Sequence, residues 1–125
     1  MALIRKAYQI RNYGKSWINV EPTGLIRISK RLALSMNISI KDSVAFYQDD
    51  KNSLEWYIAK EEAGLTVNQS GSCFKVHSTV IANEILISIG AIEKKVKIMV
   101  SVVKDTNKMF AIITSSATDL RGNKI

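Results

Sequence analysis

The side chains best suited to catalysis or metal binding are few in this 125-residue chain. It has one histidine, His77, and one cysteine, Cys73, four residues apart in sequence. A Cys–His pair becomes an activated nucleophile only when a third group orients the base, and no spacing here offers one. A metal site takes three or four ligands, which no pattern of His, Cys, Asp and Glu supplies. Asp49-Asp50 and Glu61-Glu62 lie in stretches of turn composition, and there is no glycine-rich phosphate loop. The expectation is a protein that is not an enzyme and that takes no metal and no cofactor.

What the sequence does offer is cationic. The net charge is +7, and its distribution says more than its size. Residues 1–31 contain Arg5, Lys6, Arg11, Lys15, Arg27, Lys30 and Arg31 against one acid, Glu21, whereas residues 32–125 hold eleven basic groups against ten acids. Almost the whole excess belongs to the N-terminal quarter. Such asymmetry points to a polyanion, nucleic acid before an anionic membrane surface. These seven basic residues are the candidate phosphate contacts. Cations in the first turn of a helix, where Lys30 and Arg31 fall, oppose the helix dipole at about 0.3–1 kcal/mol each, a cost that contact with phosphate would offset. A solvated basic surface is the plainer alternative. Tyr8, Tyr13 and Trp17 interleave with the basic residues and could stack on unpaired bases, although core or edge packing is the commoner role. Asn19, Thr23 and Asn68 stand in or beside turns from which base edges could be read.

The elements that must position these residues are legible from Val20 to Lys60. Glu21-Pro22-Thr23-Gly24 is a strong turn signal. Leu25–Ile28 follows as an alternating strand, with Ile26 and Ile28 on one face and Arg27 on the other. Ser29 is a natural N-cap for a short helix with Leu32 and Met36 on one side, and Asn37 suits a left-handed stop. Val44–Tyr47 and Leu54–Ala59 form a hairpin around Asp49–Ser53. A weaker copy follows: Leu65-Thr66-Val67 answers Ile18-Asn19-Val20, Asn68–Gly71 answers Glu21–Gly24, and Phe74-Lys75-Val76 answers Ile26-Arg27-Ile28. Ser78 can cap a longer helix that Gly90 stops. The second hairpin lies around Lys104–Lys108. The organisation expected is a basic arm and strand over residues 1–17, a first repeat over 18–60, a second over 65–114 sharing one core with it, and a polar, flexible tail over 115–125. A unit this small buries little surface alone, so the two halves are expected to pair about a pseudo-twofold axis.

Val20–Gly24, Ile26–Ser29, Leu32, Met36-Asn37-Ile38, Lys41–Tyr47 and Asp49-Asp50 together resemble the AbrB/MazE-like swapped-hairpin DNA-binding domain of transition-state regulators and related antitoxins. That resemblance implies a mostly β fold with two short helices, a swapped-hairpin β-barrel, here with both protomers fused as a pseudo-dimer. It also implies DNA contact near the turn glycine, on the strand after it and on the following helix. In this chain the basic character falls at Arg27, Lys30 and Arg31, while Leu25, Ala33 and Leu34 are apolar. The function expected is duplex DNA binding in transcription regulation. The alternatives are a protein-interaction module, antitoxin-like or a phage or mobile-element accessory protein, and a single-stranded nucleic-acid binder. No apolar run reaches the ~18 residues of a membrane span, and the start lacks a secretory apolar region, so a cytoplasmic protein without a membrane partner is expected. One cysteine fits a reducing compartment.

Overall fold

The computed structural model describes residues 15–101 and 109–125. The proposed arm residues Arg5, Lys6 and Arg11, with Tyr8 and Tyr13, lie outside this range, as does the Lys104–Lys108 turn.

The protein is mostly β, with two short helices and one nine-stranded antiparallel sheet that nearly closes into a barrel. In chain order the elements are β1 (Trp17–Val20), β2 (Leu25–Ile28), α1 (Lys30–Met36), β3 (Ser43–Gln48), β4 (Trp56–Lys60), β5 (Leu65–Thr66), β6 (Asn68–Ser70), β7 (Cys73–His77), α2 (Thr79–Ser88), β8 (Val96–Val100) and β9 (Phe110–Asp119). The strands run in the order β5-β3-β4-β9-β8-β1-β2-β7-β6. The first and last strands of that order are consecutive in the chain, separated only by buried Val67.

Two strand pairs carry the pseudo-twofold symmetry. In β2–β7, Arg27 faces Lys75, flanked by Ile26↔Val76 and Ile28↔Phe74. In β4–β9, Tyr57 faces Ala111, flanked by Trp56↔Ile112 and Ile58↔Phe110. Each is the pairing of a strand with its own counterpart. The hairpins are exchanged between the halves: β8 of the second half pairs with β1 of the first, and β3 of the first pairs with β5 of the second. Period-two alternation decides which side chains enter the core. Ile18, Val20, Ile26, Ile28, Val44, Ile58, Val76, Val96 and Ile98 point inward, and Leu32, Ala33, Met36, Ala82, Ile85 and Leu86 from the helices pack against them. Each fully buried aliphatic side chain of this kind contributes about 1.5–3 kcal/mol.

The local signals act as their residue types dictate. Ser29 Oγ accepts from Leu32 N at 3.2 Å, and Ser78 Oγ from Ile81 N at 3.1 Å. Asn37 (φ 57°) and Gly90 (φ 73°) both end their helices in the left-handed region, where Ile38 N donates to Ala33 O and Ala91 N to Leu86 O. Gly24, at φ 101°, packs so closely on the start of α2 that a Cβ there would lie 2.8 Å from Thr79 N.

Several expectations need correction. Residues 115–125 are not a structureless tail: Ser115–Asp119 continue β9, and Thr118 bridges Lys124. The polar composition hid this because β9 carries an irregularity opposite Lys97–Met99, which Ser116 fills by accepting from Met99 N at 2.8 Å. Asn68–Ser70 form a strand rather than a turn, and the second turn is only Gly71-Ser72. Leu54 is not in the closing strand: it is 48% exposed, and the turn runs on until Glu55, whose carbonyl accepts from Asp49 N.

Candidate nucleic-acid interface

Because directly paired residues point to the same face of a sheet, the register assembles one row on the outside of the barrel. Lys97 of β8 faces Asn19 of β1, Asn19 faces Arg27 of β2, Arg27 faces Lys75 of β7, and Lys75 faces Asn68 of β6. Neighbouring strands are roughly 4.8 Å apart, so Arg27 and Lys75 are adjacent and Lys97 is roughly 10 Å from Arg27. Arg27 is exposed, and Lys75, Lys97 and Asn19 are half-buried. Among the described residues neither Arg27 nor Lys75 is in an ion pair. Asn19 Oδ1 is shielded from solvent and has no hydrogen-bond partner among them.

Of the residues expected to meet phosphate, Arg27 thus lies at the centre of the row. Lys30 and Arg31 follow two residues after β2 ends, in the first turn of α1; Lys30 is exposed and Arg31 half-buried. Lys15 is exposed just before β1. Lys97 belongs to the second half and was invisible to a reading of local charge. Only the exchange of hairpins, a contact between residues about eighty positions apart, brings it beside Asn19. Lys75 stands at the place corresponding to Arg27, and period-two alternation was signal enough to find it.

Trp17 has Lys97 Nζ 5.1 Å from its ring centroid, a cation–π contact that covers one ring face and leaves less of it for a base. Thr23 is exposed in the β1–β2 turn. His77 and Cys73 flank Lys75 on the same face of β7, and the described residues contain no group of three or more His, Cys, Asp or Glu able to hold a metal.

Asp119, on β9, is held below its ordinary value first by the Asn123 N–H, and the other shifted carboxylates lie away from the row. In the β3–β4 turn the Lys51 N–H holds Asp49 below its ordinary value, and a side-chain hydrogen bond to Asp49 pushes Glu55 up. Asp42 is lowered first by the Ser39 N–H and also by Lys60, whose Nζ is 3.7 Å away. Each of these groups shapes a turn. Among the described residues no helix is long and apolar enough to cross a membrane.

Set against known families, curated proteins and solved structures, the chain matches no family model, no curated protein and no solved structure.

Proposed function

We propose that this chain is a duplex-DNA-binding protein of the AbrB-like swapped-hairpin kind, acting in transcription regulation. Its contact surface is the Lys97–Asn19–Arg27–Lys75–Asn68 row together with Lys30, Arg31, Lys15 and the basic arm. The observation that carries this reading is the Arg27–Lys75 pair. Like charges directly opposite each other destabilise a sheet, yet this sequence places two cations face to face where the halves meet. A polyanion lying across the pseudo-dyad removes that repulsion. The exchanged hairpins and the two self-paired strand contacts support the family reading.

The test is a titration of a mixed-sequence duplex at rising salt, with the wild type and an Arg27→Ala/Lys75→Ala variant. The wild type is expected to bind at low salt. The variant's slope of log affinity against log salt should be flatter by about 0.9 for each phosphate that it no longer neutralises. Both side chains point outward, so the variant retains its fold. Absence of binding at low salt, or an unchanged slope, refutes the reading.

A protein-interaction reading is favoured by one observation. Leu34 and Ile40 in the first half, and Ile87 and Ile92 at the corresponding places in the second, are large apolar side chains 45–62% exposed. An apolar pair repeated in both halves is the kind of surface that a protein partner covers. A stoichiometric protein complex free of nucleic acid would decide for it.

A further inference from the structure

The row does not end at Lys97. Thr118 of β9 faces Lys97, and Lys124 bridges Thr118. The line of outward side chains therefore runs Asn68, Lys75, Arg27, Asn19, Lys97, Thr118, Lys124, roughly 29 Å along the barrel surface at one strand spacing per step. Past its far end is an open cavity of about 430 Å³ between the turn before β8 and the C-terminal turn, lined by Lys94, Lys95, Arg121 and Lys124, by the apolar Leu120 and Ile125, and by one acidic side chain, Asp119. That acid is already engaged. Asp119 Oδ1 accepts from Arg121 N at 2.8 Å and from Asn123 N at 2.9 Å, and Oδ2 accepts from Asn123 Nδ2 at 3.3 Å. Lys95 approaches Glu21 at 3.8 Å, but its side chain is 56% exposed, and such a surface pair is weak. Among the described residues Lys94 and Lys124 are in no ion pair, and Arg121 attracts Asp119 without coming within ion-pair distance.

Four cationic residues line a cavity whose one acidic side chain is hydrogen-bonded within its own turn, an arrangement that suits a phosphate group. We propose that this cavity binds phosphate, and that in the complex with duplex DNA a backbone phosphate fills it. The source of the phosphate rests on the function proposed above; the cavity rests on its own side chains. The consequence is one-sided binding. On the Lys97 side of the pseudo-dyad the cations continue to the C-terminal turn. On the other side the row ends at Asn68, and β5 and β3 place Thr66 opposite Ser43. The duplex is then held off-centre, on a single asymmetric site rather than across two equal half-sites.

The experiment compares the wild type with an Arg121→Ala/Lys124→Ala variant in two arms. In the first, a mixed-sequence duplex is titrated at rising salt. In the second, inorganic phosphate is added while the backbone amides of residues 119–125 are followed by NMR, with chloride as the control anion. Both side chains are exposed, and an unchanged thermal melt verifies that the variant folds. The expected result is a slope flatter by about 0.9 for each phosphate that the variant no longer neutralises, with phosphate-induced amide shifts in the wild type only. If the slope is unchanged and phosphate still moves the amides, the assignment to a nucleic-acid phosphate is overturned and the cavity takes the free anion. If the wild type binds no duplex while phosphate moves the amides, the cavity stands and the nucleic-acid reading alone fails. If phosphate leaves the wild-type amides where chloride does and the slope is unchanged, the proposal is overturned entirely.

Discussion

Ser29 and Ser78 cap their helices with the same bond, yet Lys30-Arg31 follow the first and Thr79-Val80 the second. Asn37 and Gly90 end those helices with the same left-handed residue, yet α1 has seven residues and α2 has ten. Backbone devices are repeated where the fold depends on them, and side chains diverge where they face outward. Packing enforces the first: a strand that must pair with its own counterpart across β2–β7 and β4–β9 cannot change its inward residues freely. Nothing in the core enforces the second, so surface charge is free to become one-sided. The pseudo-dyad is thus a property of the scaffold and not of the surface that the scaffold presents.

The sharpest way to break this comparison lies in the two turns. Gly24 and Gly71 both have positive φ, but only Gly24 is crowded, with Thr79 N where a Cβ would be. Gly24→Ala is expected to cost about 2–3 kcal/mol from backbone strain and overlap with backbone. Gly71→Ala, in open space, should cost about 1 kcal/mol from the left-handed conformation alone. Urea denaturation of the two variants checks the order. Equal losses would mean that the β1–β2 turn is not seated on α2 as described.

A smaller effect separates the caps. Ser29 is buried, and its Oγ accepts from both Leu32 N and Trp17 N, at 3.2 and 3.0 Å. Ser78 Oγ accepts from Ile81 N. Ser29→Ala should therefore cost about 2 kcal/mol, the upper end for an N-cap, and Ser78→Ala about 1 kcal/mol. The extra bond ties α1 to β1, the strand that presents Asn19 and Trp17. Amide exchange at Trp17 should accelerate in the first variant and stay unchanged in the second.

Much of this was legible in the sequence because the residues concerned act locally. The caps, the left-handed stops, the Gly24 turn and the alternation of Ile26, Arg27 and Ile28 all follow from side-chain chemistry within a few positions. The duplication was readable too, because its inward residues keep their order. The missing features depend on distant pairing. Lys97 joins the candidate surface only through the exchanged hairpin, and the C-terminal turn joins it only because the irregularity in β9 sets Thr118 against Lys97. Polar residues such as Ser115, Ser116 and Thr118 carry no hydrophobic period when one strand face is solvated and the ladder shifts register. The basic cavity was missed for the same reason: Lys94-Lys95 and Arg121–Lys124 are about thirty residues apart and meet only across that pairing.

The smallest effect concerns the turns that follow the helices, where the halves share a shape and differ in what secures it. Lys41 (φ 77°) and Glu93 (φ 65°) occupy the same left-handed position, and Asp42 N donates to Ser39 O as Lys94 N donates to Ala91 O. Only the first turn has a carboxylate to fasten it: Asp42 Oδ2 accepts from Ser39 N at 2.8 Å and from Ser39 Oγ at 3.2 Å, with Lys60 nearby. The corresponding residue in the second turn is Lys94, which cannot accept. The Ser39 N–H and the Lys60 charge hold the Asp42 pKa below the ordinary 3.8. A lowered folded-state pKa means that the contribution is complete above the ordinary value and is lost as pH falls through the lower, folded one. Acid should therefore loosen the first turn and leave the second as it was. In an NMR titration from neutral pH to about pH 2, the Ser39 amide is expected to move with an inflection below 3.8, while the Ala91 amide, at the corresponding place in the second turn, shows no step of that size. Asp42→Asn should remove the inflection at Ser39. If the two turns respond alike, the carboxylate is not what distinguishes them, and the asymmetry of the halves does not extend to these turns.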